Sequence, residues 1–167
     1  KKELADLDSF IERMPKSLGN ENLLGHFPFD KTNTKPNQKG NFVLDQNSKS
    51  TSRAIPKLTD GKVGKAITFT GEYDEVYLRG IPNFELTDEF SATLWLRTTK
   101  REAKKTQTLL GTTGDKNSYW SGWDFYLDSL NRMNVRFVHS VPHNLIHVRS
   151  KDSVKINEWN HAAFSYD

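Results

Sequence analysis

An alternation of period two sets in near residue 22 and runs to the end of the chain. Phe90, Ala92, Leu94 and Leu96 alternate with Ser91, Thr93, Trp95 and Arg97. Trp123, Phe125 and Leu127 alternate with Asp124, Tyr126 and Asp128, and Met133, Val135 and Phe137 with Asn134 and Arg136. Ile146 and Val148 alternate with Leu145, His147 and Arg149. Successive side chains of a strand point to opposite faces, so each run predicts a strand with one buried face. Further strands are expected over Leu23–Phe29, Asn41–Asp45, Lys65–Thr70, Glu75–Arg79, Thr106–Gly111 and Trp159–Tyr166, about ten in all. Turn chemistry separates them: Asp60-Gly61, Gly71-Glu72, Gly114-Asp115 and the Leu130-Asn131 pair. Many short strands without interleaved helices predict an all-β sandwich or barrel. The polar stretches 31–40 and 46–60 read as long surface loops.

One segment departs from this period. Leu4, Leu7, Ile11 and Met14, widened by Phe10, form a stripe at helical spacing that Pro15 ends. A short N-terminal helix and linker over 1–21, followed by one β-domain over 22–167, is the expected organisation. So short a helix is marginal alone and must pack on something. The chain opens on Lys1-Lys2-Glu3, which suggests a piece of a longer protein.

The 167 residues suffice for one domain with its own core. There is no cysteine, which removes disulfides, thiolate metal sites and a cysteine nucleophile. No apolar run reaches the roughly 18 residues of a spanning helix, so no membrane insertion is expected. Net charge is +3, from 24 basic and 21 acidic residues, too slight an excess to suggest a nucleic-acid partner. The densest basic stretch, Arg97 to Lys105, reads as a solvated loop.

Several segments together resemble the laminin-G-like branch of the concanavalin A-like lectin/glucanase superfamily. They are Leu23-Leu24-Gly25-His26-Phe27-Pro28-Phe29-Asp30, the Gly-Lys-Ala strand and Phe-x-Gly turn within Asp60–Gly71, and the following Glu72–Leu78. Phe90–Leu96 with Trp95 at its centre, and Glu158-Trp159-Asn160-His161-Ala162-Ala163 running on to Tyr166-Asp167, complete the set. The resemblance implies a concanavalin A-like jelly-roll β-sandwich of two antiparallel sheets. Members continue past the Tyr-Asp corner, so the resemblance implies either truncation at Asp167 or a short member of the family. A helix ahead of such a domain is similar to the arrangement in large multidomain bacterial proteins of the planctomycete cytochrome type.

For function, retaining glucanases of the superfamily need two carboxylates about 5 Å apart. The nearest pair, Asp124 and Asp128, shares a strand face but at roughly 13 Å. None of the five histidines forms a metal-protease motif. No enzyme is therefore expected. The family often holds a structural calcium by oxygen ligands, which implies Ca2+ at Asp30 and Asp45, with Asp74 a weaker third. Tyr119-Trp120-Ser121-Gly122-Trp123-Asp124 offers aromatic faces for sugar rings beside groups that can bond hydroxyls. Asn117, Tyr119, Trp120 and Asp124 are the expected lining, with Arg136 and His147 on adjacent strands. The expectation is a non-catalytic, extracytoplasmic binding module, its partner a glycan or neighbouring domains of the same chain. A structural spacer and a divergent glycoside hydrolase are the alternatives.

Overall fold

In the computed structural model the described residues are 22–30, 42–43, 50–52, 57–69, 74–85, 87–99, 106–113, 121–140 and 143–167. The predicted N-terminal helix lies outside them. Among the described residues every regular element is a β-strand, and every strand pairing is antiparallel. The chain divides into two compact units, Lys1–Asn83 and Phe84–Asp167.

The first unit holds β1 (Phe42–Val43), β2 (Ser50–Ser52), β3 (Lys57–Asp60), β4 (Lys65–Thr68) and β5 (Val76–Leu78). They form a sheet of order β1-β2-β5 and a hairpin β3-β4. In the hairpin, Asp60 pairs with Lys65 and the Gly61 N–H reaches the Gly64 carbonyl at 2.9 Å. Gly64 has φ 57°, a conformation that favours glycine. Strands β2 and β3 fall where the polar composition predicts a loop. Their cross-strand pairing, which local composition does not report, makes them strands.

The expected strand over 23–29 is absent. Its burial still alternates, with Gly25, Phe27 and Phe29 partly buried and His26 and Pro28 exposed, but no ladder forms. Pro28 has no N–H to give to a neighbour, and Phe29 turns to φ 57°, which ends the extended run.

The second unit holds β6 (Phe90–Leu96), β7 (Gln107–Gly111), β8 (Gly122–Leu127), β9 (Arg132–Ser140), β10 (Asn144–Ser153) and β11 (Asn160–Tyr166). Strands β10-β9-β8-β7 make one sheet and β11-β6 the other. The two are layered through their apolar faces. Phe90, Leu94 and Leu96 of β6 and Ala162, Phe164 and Tyr166 of β11 meet Trp123, Phe125 and Leu127 of β8 and Met133, Val135 and Phe137 of β9. Small residues oppose large ones in the β6-β11 register, Ala162 against Leu94 and Ala92 against Phe164. Phe164 then makes edge contacts with Phe90, Trp123, Phe125 and Phe137 at centroid distances of 5.4–6.1 Å. Such pairs contribute about 0.5–1.5 kcal/mol each beyond area burial.

Strand β10 keeps the period but not the predicted burial. Ile146 pairs with Phe137 and Val148 with Val135, which puts both on the core-facing side. They are nonetheless 46% and 62% exposed. β10 lies at the edge of its sheet, past the width of the two-stranded layer that covers β8 and β9.

Candidate functional site

Alternation decides which side chains leave the core. With Trp123, Phe125 and Leu127 facing inward, Asp124 and Tyr126 must face outward. Register then sets their neighbours. Asp124 pairs with Arg136 and Arg136 with His147, while Tyr126 pairs with Asn134 and Asn134 with Arg149. Two adjacent rows therefore cross the outer face of β8–β10: Asp124–Arg136–His147 and Tyr126–Asn134–Arg149.

These side chains form a hydrogen-bonded network. Arg136 grips Asp124 with two donors, Nε to Oδ1 at 2.9 Å and Nη2 to Oδ2. The Asp124 carboxylate is almost fully enclosed, its side chain 4% exposed, against 40% for that of Arg136. Thr113 Oγ1 donates to Asp124 Oδ2 at 3.4 Å. The carboxylate holds Arg136 firmly protonated, above the ordinary guanidinium range. The guanidinium lies over the Tyr126 ring at 4.6 Å, a cation–π contact. Burial pushes the Tyr126 hydroxyl up, opposed by the nearby Arg136 charge.

The second row is tied down by amide and imidazole. Asn134, 2% exposed, donates Nδ2 to the Arg132 carbonyl at 2.8 Å. Its Oδ1 lies 3.0 Å from His147 Nε2 and accepts from it. The same Nε2 lies 3.3 Å from the Tyr126 hydroxyl, and the two rings stack at 6.3 Å. Amide, phenol and imidazole thus fix one another.

Asp128 stands apart, in the β8–β9 turn. Its Oδ1 accepts the backbone N–H groups of Leu130 and Arg132, and its Oδ2 accepts from Arg132 Nε at 2.8 Å. Burial alone would raise this carboxyl, but the two backbone donors and the guanidinium together hold it below the usual range. Asp124 and Asp128, the nearest approach to a carboxylate pair in the sequence, are each gripped by an arginine of their own.

The structure thus brings together Asp124, Arg136 and His147 of the predicted site. Asn117, Tyr119 and Trp120 lie outside the described residues. Tyr126, Asn134 and Arg149 were missed as site members, although the same alternation places them on the outward face. What the sequence could not supply was the register that joins them. Trp123, the other tryptophan of the aromatic segment, is 7% exposed and belongs to the core.

Of the predicted calcium ligands, Asp30 and Asp74 lie among the described residues, Asp30 exposed and Asp74 half-buried. Asp30 Oδ1 accepts the Lys65 backbone N–H at 2.9 Å and abuts Gly64, so it closes the start of β4. Asp45 lies outside the described residues. Among the described residues no three His, Asp or Glu side chains gather into a metal-holding group.

On the other face of the second unit, β6 and β11 turn outward Ser91, Thr93 and Trp95 against Ser165, Ala163 and His161. Trp95, 45% exposed, packs its ring against His161 at 4.8 Å, and His161 Nε2 bonds Thr93 Oγ1. Arg97 lies over Trp159 at 5.1 Å. The rest of the predicted basic loop, 100–105, is outside the described residues.

Two antiparallel sheets layered through their apolar faces, with a polar network on the outer face of one, define the class as a β-sandwich. A family model described as the concanavalin A-like lectin/glucanases superfamily, of laminin G type, matches residues 70–167. The chain belongs to this family, and its fold is the concanavalin A-like jelly-roll β-sandwich. Neither curated proteins nor solved structures gave a match.

Proposed function

We propose that this chain is a non-catalytic, extracytoplasmic module that binds carbohydrate within a larger protein. Laminin-G-like domains bind glycans or proteins and are typically extracellular. No helix among the described residues is long and apolar enough to cross a membrane. The observation that carries the carbohydrate reading is the network on the outer face of β8–β10. It holds Arg136 and His147 in fixed orientations over an enclosed floor of Asp124, Tyr126 and Asn134. Preorganised polar groups on a rigid sheet are what oriented recognition of hydroxylated ligands needs. Trp120, by sequence next to β8, would add a stacking face. The non-catalytic reading is supported by the pairing of Asp124 with Arg136 and of Asp128 with Arg132. Neither carboxylate is placed as a free acid or nucleophile.

The test is a glycan-array screen of the purified chain, with calcium and with EDTA. Reproducible binding to one glycan class supports the reading, and Trp120→Ala should then weaken it. Silence from a demonstrably folded sample contradicts it. The EDTA arm also tests the calcium that the resemblance implies, since loss of a structural ion lowers Tm and an unchanged Tm removes it.

A second reading, a spacer docked on neighbouring domains, is favoured by the exposed Leu145, Ile146 and Val148 on β10. Silence on the array together with tight binding to a flanking domain would select it.

A further inference from the structure

We propose that the outer face of β8–β10 selects an acidic saccharide, its carboxylate or sulfate received by Arg136 and Arg149. The inference rests on the carbohydrate reading above and adds the ligand's charge. It follows from what each polar group on this face already does. Both Asp124 oxygens are taken by Arg136, with Thr113 adding to one of them, and the residue is 3% exposed. Asn134 has its oxygen on His147 and its amide on the Arg132 carbonyl, at 2% exposure. The Tyr126 hydroxyl sits against His147, at 8% exposure. Asp128, in the adjoining turn, is occupied by two backbone donors and Arg132. The acceptors and the negative charge are therefore beneath the surface and in use.

The groups that emerge are different. Arg136 bonds Asp124 through Nε and Nη2, while a guanidinium carries five N–H donors in all, so donors remain on its outer end. Its side chain is 40% exposed. His147 and Arg149 are exposed on β10. Arg149 makes no ion pair among the described residues, and its pairing with Asn134 puts it on the same face. Three arginines, 132, 136 and 149, face two aspartates, 124 and 128, which leaves one positive charge in excess before His147 is counted.

Register makes the two exposed arginines a unit. Arg136 pairs with His147, and Arg149 follows two residues on, which makes Arg136 and Arg149 diagonal neighbours on one face. Diagonal positions on adjacent strands lie about 7–8 Å apart at the backbone, within reach of long side chains. One anionic group can sit between them, or two such groups on successive sugars can each meet one. A neutral sugar hydroxyl both donates and accepts, and guanidinium groups can only donate. A carboxylate or sulfate only accepts, and it matches the planar donor edge of arginine.

Calorimetric titration of the full chain at low salt tests this, with oligogalacturonate, a sulfated galactan oligosaccharide and cellohexaose as probes. Binding of at least one acidic probe, with cellohexaose at least about tenfold weaker, is expected. Added salt should weaken it. Arg149→Ala should reduce affinity about tenfold with Tm unchanged, since the residue holds no structural partner among the described residues. Truncating Arg136 would strand the enclosed Asp124, so Arg136→Lys is the companion variant: it keeps the charge but loses the fork, and should also weaken binding. The two acidic arms distinguish carboxylate from sulfate. Cellohexaose binding as tightly, or acidic binding that survives both variants, overturns the inference and leaves the carbohydrate reading standing. No binding to any of the three probes overturns the inference, and glycan-array silence then overturns the carbohydrate reading too.

Discussion

At the residue scale, the Asp124–Arg136 pair shows how burial makes two partners unequal. The carboxylate is enclosed, while the guanidinium is 40% exposed. Removing Arg136 leaves an enclosed charge held only by the long 3.4 Å bond from Thr113, whereas removing the Asp124 charge leaves an arginine that solvent can reach. Arg136→Met should therefore destabilise by about 3 kcal/mol or more, and Asp124→Asn by about 1–2 kcal/mol, in urea unfolding. Equal losses would contradict the assigned burial. Asp128 gives a pH dependence. Its native carboxyl lies below the ordinary value of about 4, so the stability it contributes is present above that value and lost as pH falls through the native one. The stability gap between the parent chain and Asp128→Asn, seen at pH 7, should close in acid. A gap that stays constant down to pH 2 would contradict the hydrogen-bonded turn.

At the scale of elements, the core belongs to β6, β8, β9 and β11, and β10 contributes little to it. Phe125, 1% exposed, should cost about 3–5 kcal/mol as Phe125→Ala. Ile146→Thr on the exposed edge should stay within about 0.5 kcal/mol, and thermal melts of the two variants compare them directly. Period two was legible in the sequence, and with it β6, β8, β9 and β11, because each alternates cleanly between apolar and polar. Three things were not. Lys57–Asp60 has only Leu58 as an apolar residue, and its strand character comes from the partner Lys65–Thr68. The 23–29 segment alternates but is broken by Pro28 and the turn at Phe29. Exposure of β10 follows from its edge position, and strand order is a property of the whole sheet. The candidate site was legible in the same measure. Asp124, Arg136 and His147 stood out by residue type, whereas Tyr126 and Asn134 read as ordinary alternating residues until register joined them.

At the scale of the molecule, the second unit is a sandwich with two unlike outer faces. One, over β8–β10, has its acids gripped beneath emerging arginines. The other, over β6 and β11, carries paired hydroxyls, with Ser91 and Ser165 bonded at 2.8 Å, beside the Trp95–His161 stack. The chemistry of the side chains favours the first as the binding face we propose. Both faces use the same sandwich, so a fold-level comparison does not choose between them. The most direct measurement is backbone-amide NMR shift mapping during titration with whichever saccharide the screen selects. The account predicts shifts concentrated on the outward residues of β8, β9 and β10, above all Asp124, Asn134, Arg136, His147 and Arg149. Shifts concentrated on Ser91, Thr93, Trp95 and His161 instead, with the β8–β10 face silent, would contradict it.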